Sequence, residues 1–236
     1  MIAPMSRPKH LILLPGLLCD GALWRHQTEH LRDQIEVHVA DLTLDNAVSA
    51  MADRVLAQAP PTFALAGLSM GGYVAQEIMR QAPERVERLA LVDTNARADT
   101  DEQRKSRAAL IALADVGKFK GVTPRLLPSL IHPSRMEEPA VAGVVMEMAE
   151  RVGQQAFKRQ QEAIMGRKDG RGDLEAIRIP TLILAGRQDA LCPPKVQQEM
   201  IERLPNGKLV LVEDCGHLVS LERPEATTAV FRYWLG

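Results

Sequence analysis

The 236-residue chain predicts an α/β fold, a mostly parallel sheet of about six strands flanked by helices, with an inserted helical segment. Three observations predict it. Short apolar runs alternate with amphipathic stretches along most of the chain. Several runs have no polar alternation, as in Leu89-Ala90-Leu91-Val92, Leu182-Ile183-Leu184-Ala185 and Leu209-Val210-Leu211-Val212. A strand with no polar face is buried on both faces, the state of a parallel strand covered by helices. The alternation then fails once, between Asp93 and Thr181, where helical pattern replaces strand pattern.

Taken in order, strands are expected at 10–14, 37–42, 62–68, 88–93, 181–185 and 208–212. A helix follows Trp24. Another runs from about Asn46 to Gln58, with Asp45 as its N-cap and Pro60-Pro61 as its stop. A third follows Ser69 and ends near Pro83. Two more follow Pro193-Pro194 and Pro224, where proline suits the first helical turn. In the strand-free interval, helical pattern covers about 101–116, 138–152 and 154–165, with Val141, Val144, Val145, Met148 and Val152 at helical spacing. An interval this long is too long for a plain connection. Residues 97–171 are therefore expected to form an inserted helical lid on a core domain made of residues 1–96 and 172–236. An insertion after the fourth strand lies above the carboxyl edge of the sheet, where open α/β sheets bind ligands. Core packing is the ordinary reading of its Met and Val stripe.

Composition excludes several function classes. The formal net charge is −1, so no basic field for a nucleic acid is expected. No run approaches the ~18 apolar residues of a membrane span. Leu11-Ile12-Leu13-Leu14 is cut short by Pro15-Gly16, so it reads as a buried strand and not as the apolar core of a signal peptide. Cys19, Cys192 and Cys215 are odd in number and far apart. They fit neither a disulfide framework nor a metal spacing, so a reducing cytoplasm is expected and metals and cofactors are not. A small-molecule substrate is the expected partner; the oligomeric state stays open.

Chemistry concentrates at the strand ends. The third strand runs into Gly67-Leu68-Ser69-Met70-Gly71 and then into a helix. G-x-S-x-G between strand and helix is a nucleophile elbow: small flanking residues permit a tight turn that exposes the hydroxyl. The helix start offers unpaired N–H groups and the positive end of its dipole to a developing oxyanion. The first strand ends in Pro15-Gly16-Leu17-Leu18, the fourth at Asp93, the fifth in Gly186-Arg187-Gln188-Asp189 and the sixth in Asp214-Cys215-Gly216-His217. All candidates thus meet on one sheet edge. Of six histidines only His217 follows the last strand in a Gly-His turn; His10, His26, His30, His38 and His132 read as surface or packing residues. Asp189 and Asp93 both stand where an acid could serve His217. Asp214 reads as a surface or loop-capping residue.

With these motifs in order, the chain resembles the α/β-hydrolase superfamily, and in particular its small lid-bearing esterases, enol-lactonases and cofactor-free perhydrolases. The resemblance rests on Pro15-Gly16-Leu17-Leu18 with Trp24-Arg25-His26-Gln27, the Ser69 elbow, Pro180 to Asp189, and Cys215-Gly216-His217 with Glu222-Arg223-Pro224-Glu225. It implies a Ser69–His217–Asp189 triad, since the Gly-Arg-Gln-Asp loop is similar to the family's acid-bearing loop. It also implies an oxyanion hole from the backbone N–H groups of Leu17 and Met70. One departure is Pro15-Gly16, where many members carry His-Gly; it changes the hydrogen bonding of that loop. The implied function is a serine hydrolase that cleaves a small ester, thioester or lactone through an acyl-enzyme. Lyase or acyltransferase chemistry with the same triad, or a non-catalytic ligand sensor on the same fold, are the alternatives. The insertion carries more Lys and Arg than Asp and Glu. Such charge is ordinarily a solvated face; a carboxylate site there would fall to Arg159, Arg167 or Lys168.

Overall fold

The apolar runs form a single parallel sheet in a computed structural model that describes residues 7–236. Its six strands are β1 (His10–Leu14), β2 (Glu36–Val39), β3 (Phe63–Leu68), β4 (Val86–Val92), β5 (Thr181–Gly186) and β6 (Gly207–Val212). The order is β2-β1-β3-β4-β5-β6, and every neighbouring pair is parallel. Residues 1–6 of the expected core domain lie outside the described residues.

Alternate residues of β1 enter different layers, as a pleated strand requires. Leu11 and Leu13 join Trp24, Leu31, Phe231 and Leu235 on one face. Ile12 and Leu14 join Met51, Val55, Val74 and Ile78 on the other. The first layer is built by α1 (Arg25–Leu31) and α8 (Pro224–Leu235), the second by α2 (Val48–Gln58), α3 (Met70–Gln81) and α6 (Pro194–Ile201). Pro194 and Pro224 stand at the first positions of α6 and α8. Burying each large apolar side chain in these layers contributes about 1.5–3 kcal/mol.

Three local expectations need correction. The apolar run Leu209–Val212 predicts burial on both faces, yet β6 is an edge strand and only half-buried. Strand β2 ends at Val39 and not at Leu42, because Asp41 turns the chain: its Oδ1 accepts from the Thr43 N–H at 2.9 Å and from the Thr43 hydroxyl at 2.6 Å. Asp45 does not cap α2, whose N-cap is Ala47; its carboxylate instead takes both a 2.6 Å and a 2.9 Å bond from Arg54.

No strand occurs between β4 and β5 among the described residues. The interval holds α4 (Asp101–Asp115) and α5 (Val144–Met165). Thr100 and Gln103 close a reciprocal capping box at the start of α4. Gly153 interrupts α5 with φ 74° and ψ 174°, which divides it where the sequence pattern also breaks. A short turn of helix, α7 (Val219–Glu222), follows His217. Among the described residues no helix is long and apolar enough to cross a membrane.

The strand order positions the site. β1 lies between β2 and β3, so successive connections leave the sheet in opposite directions there. Such a switch point opens a crevice at the carboxyl ends of the strands. The loop after β1 and the turn after β3 both enter it.

Candidate active site

Ser69 sits between β3 and α3 with φ 54° and ψ −114°, a backbone conformation that costs a non-glycine residue about 1–3 kcal/mol. The surroundings hold it there. The Ser69 N–H donates to the Val92 carbonyl at 2.9 Å, and the Thr94 hydroxyl donates to the Ser69 carbonyl at 2.7 Å. Close packing of α3 on β1 explains the glycine after the nucleophile: a Cβ on Gly71 would collide with the Leu14 carbonyl.

The structure brings Ser69, His217 and Asp189 into one hydrogen-bonded line. His217 Nδ1 is 2.8 Å from Asp189 Oδ2, and His217 Nε2 is 2.8 Å from Ser69 Oγ. An ionised carboxylate only accepts, so Nδ1 carries the proton and Nε2 accepts from the serine hydroxyl. The second oxygen, Asp189 Oδ1, accepts from the Leu191 and Cys192 N–H groups at 2.8 and 2.9 Å. Asp189 and His217 are buried, so their bond is formed in a low-dielectric setting.

Asp93 does not reach His217 by any hydrogen bond among the described residues. Its Oδ1 accepts from Gly186 N–H at 2.9 Å and its Oδ2 from Val219 N–H at 2.8 Å. It therefore ties the end of β5, which leads to Asp189, to the loop that carries His217. Burial, and secondarily the charge of Asp189, pushes its carboxyl well above the usual carboxylate range, against the lowering effect of those two N–H donors. Asp214 is exposed in a turn with φ 48° and takes no part.

Met70 follows Ser69 in the chain, and Leu17 borders the same cleft as Ser69. Neither backbone N–H has a hydrogen-bond partner among the described residues. Leu18 is different: its φ is 58°, and its N–H donates to Gln160 Oε1 at 3.0 Å. Gln160 is buried on α5, and its Nε2 donates to the Leu42 carbonyl at 3.1 Å. An insertion residue thus shapes the loop in which Pro15 provides no donor.

Glu222 is a second residue that the sequence motifs did not mark as functional. Its buried carboxylate accepts from the N–H groups of Gly216 and Leu218, on either side of His217, at 3.0 and 3.1 Å. It also accepts from His132 N–H at 2.7 Å, while His217 N–H donates to the Leu130 carbonyl at 3.0 Å. The histidine loop is in this way fastened to the insertion. Only its place in the Glu222-Arg223-Pro224-Glu225 motif pointed to it.

A cleft of about 520 Å³ opens over Ser69 and His217. Its walls are mainly apolar, with Leu110, Leu113, Leu126, Leu130, Val145 and Phe157 among them. Arg167 borders the cleft. Arg159 instead donates to the Thr43 carbonyl, and Lys168 borders a separate, smaller cavity. The three cysteines are buried. Burial pushes the Cys19 and Cys192 thiols up to about 12 and the Cys215 thiol higher still, so they remain protonated packing groups. Asp189, Cys192 and His217 offer donor atoms close together, as do His10, Glu36 and His38 at the sheet edge. In the first group Asp189 and His217 already bind each other.

Known proteins share this architecture. The model of the alpha/beta hydrolase family matches residues 11–230. A pimeloyl-[acyl-carrier protein] methyl ester esterase of Nitrosomonas europaea is 26% identical over 241 residues, covering 94% of this chain and 93% of its own. A malate-bound thermophilic esterase from Thermogutta terrifontis superposes with a TM-score of 0.87 at 28% identity, over 98% of this chain and 90% of that one. The enol-lactonase from Burkholderia xenovorans LB400 superposes with a TM-score of 0.84 at 23% identity, over 98% and 92% of the two chains.

Proposed function

The chain belongs to the alpha/beta hydrolase family and is a carboxylic ester hydrolase, and on that basis we propose that it works through a Ser69–His217–Asp189 triad and an acyl-enzyme. The single observation that carries this reading is the unbroken line from Asp189 Oδ2 through His217 to Ser69 Oγ, two contacts of 2.8 Å each. Ser69 Oγ attacks the ester carbonyl as His217 Nε2 takes its proton. The carbonyl oxygen becomes an oxyanion and is held by the N–H groups of Leu17 and Met70. Met70 opens α3, so the helix dipole adds to its effect. The intermediate collapses when His217 gives the proton to the leaving alcohol. His217 then takes a proton from water, whose oxygen attacks the acyl carbon, and returns that proton to Ser69. Asp189 holds the tautomer and stabilises the imidazolium in both halves.

Residues 97–171 serve as the lid over the core domain of residues 1–96 and 172–236. Its apolar walls exclude water from the acyl-enzyme and shape the acyl site. The substrates are small esters; thioesters and lactones present the same carbonyl to the same groups. Hydrolysis is favoured over lyase or transferase chemistry because the Nitrosomonas europaea and Thermogutta terrifontis relatives are esterases.

The test uses p-nitrophenyl acetate. Repeated turnover is expected, with a burst equal to the enzyme concentration where deacylation is slower than acylation. A fluorophosphonate is expected to label Ser69. The variant Ser69→Ala is expected to lose at least ~10³-fold in kcat/KM while unfolding at the wild-type temperature. Full activity in that variant, or a single stoichiometric burst without turnover, would refute the mechanism.

A further inference from the structure

The wall of the cleft carries charge of one sign. Arg107, Lys118, Lys120 and Arg167 line it, and no Asp or Glu does among the described residues. The whole chain has a net charge of −1, so this lining is not the reflection of a basic protein.

Two of these cations converge behind the wall. Arg107, on α4, donates from Nε to Asp99 Oδ2 at 2.8 Å, and Arg167, just past α5, places Nη1 2.6 Å from Asp99 Oδ1. One carboxylate faces two guanidinium groups, which leaves one positive charge uncompensated. The remaining bonds go to neutral oxygens: Arg107 Nη1 to Gln161 Oε1 at 2.7 Å, Arg167 Nε to the Arg97 carbonyl at 2.9 Å and Nη1 to the Ile164 carbonyl at 3.0 Å. Neither Nη2 has a hydrogen-bond partner among the described residues. The Arg167 side chain is only 5% exposed, so its charge is largely shielded from water. A buried cation without full compensation is costly, and a bound anion removes that cost.

The location is close to the nucleophile. The Arg167 guanidinium lies 4.3 Å over the Tyr73 ring. Tyr73 stands one turn after Ser69 on α3, a rise of about 6 Å. Its hydroxyl accepts from Asn95 Nδ2 at 3.2 Å, and both side chains border the cleft. Burial, chiefly, pushes the Tyr73 phenol up to about 12, so it stays a neutral donor.

We propose that Arg107 and Arg167, beside Tyr73, form an anion subsite that selects esters bearing a second group, a carboxylate, a few bonds from the scissile carbonyl. The substrate class rests on the esterase reading above; the anion subsite itself rests on the cleft. The carboxylate belongs either to the acyl part or to the alcohol part of the ester.

The experiment has two substrate arms and one binding arm. Methyl hydrogen glutarate is compared with methyl pentanoate, and 4-acetoxybutanoate with butyl acetate. In one arm the charged ester is expected to exceed its neutral partner in kcat/KM by about ten-fold or more, the range of a charge-assisted hydrogen bond. Arg107→Gln is expected to lower that ratio to about three-fold or less, and Arg107→Lys to keep part of it. A ratio is read, so a general loss of activity or stability cancels. In the binding arm, glutarate is titrated into Ser69→Ala protein by calorimetry beside neutral glutaramide, and only glutarate is expected to bind. Neutral esters hydrolysed at least as well as charged ones in both arms, or glutarate binding no better than glutaramide, would overturn the subsite and leave the esterase reading in place. No turnover of any ester, with glutarate bound, would overturn the esterase reading and leave the subsite in place.

Discussion

Two buried aspartates lie at the ends of adjacent strands, and hydrogen bonds separate their roles. Asp189 gives one oxygen to His217 Nδ1 and the other to two backbone N–H groups. Asp93 gives both oxygens to backbone N–H groups, at Gly186 and Val219. In Asp189→Asn the amide can turn its NH₂ toward Nδ1, and the imidazole then protonates on Nε2, where Ser69 needs an acceptor. A loss of about 10³–10⁴ in the acylation rate is expected. In Asp93→Asn one of the two backbone donors faces an NH₂ group, a local loss worth about 1–3 kcal/mol of stability. The catalytic line itself stays intact, so the acylation rate is expected to fall by less than about ten-fold. Pre-steady-state kinetics on both variants decide the point; a larger rate loss in Asp93→Asn would show that the acid has been misassigned.

At the scale of elements, the insertion does two different things with one helix. Val145 and Met148 stand one turn apart on α5 and belong to the same apolar stripe, yet only Val145 borders the cleft. Met148 is wholly buried in the core layer. Val145→Ala is expected to widen the acyl site and move the optimum of a p-nitrophenyl ester series toward longer or branched chains. Met148→Ala is expected to leave the shape of that profile unchanged and to lower stability by about 2–5 kcal/mol. Chain-length profiles of kcat/KM, measured beside urea denaturation, check both; identical profiles in wild type and Val145→Ala would place specificity elsewhere. The stripe itself was legible from helical spacing, but which of its members meet the cleft was not, because that depends on how α5 docks. The same limit explains other omissions. The inner strands were legible because strands covered on both faces are apolar throughout, and Ser69, Asp189 and His217 were legible as neighbours because each follows a strand end. Gln160 lies within a helical pattern, where polar residues ordinarily face water, and Glu222 lies in the short stretch before Pro224, where no periodicity is read. Their partners, Leu18 for Gln160 and His132 for Glu222, are 142 and 90 residues away in the chain. Periodicity carries no information about contacts of that separation.

For the molecule as a whole, Asp93 is a single buried group on which three chain segments depend. It ends β4, holds Gly186 at the end of β5, and holds Val219 at the start of α7. The two loops it joins are in direct backbone contact, since a Cβ on Gly186 would collide with the Gly216 carbonyl. Burial, with the nearby Asp189 charge adding to it, raises the Asp93 carboxyl well above its ordinary value. The sign of the resulting pH dependence follows from proton counts. Between the ordinary carboxylate value, about 4, and the raised native value, the folded state holds a proton that the unfolded state has released. Stability therefore falls as pH rises through that window, by up to about 1.4 kcal/mol per pH unit for one group. The contribution is fully present below the unfolded value and exhausted above the folded one. Asn at position 93 does not titrate, so Asp93→Asn is expected to be flatter than wild type above pH 5, whatever its absolute stability. Urea denaturation of both proteins at half-unit intervals from pH 5 to pH 9 measures the difference directly. Parallel curves would mean that Asp93 is ionised in the folded protein throughout, with its two backbone donors outweighing burial and the neighbouring charge.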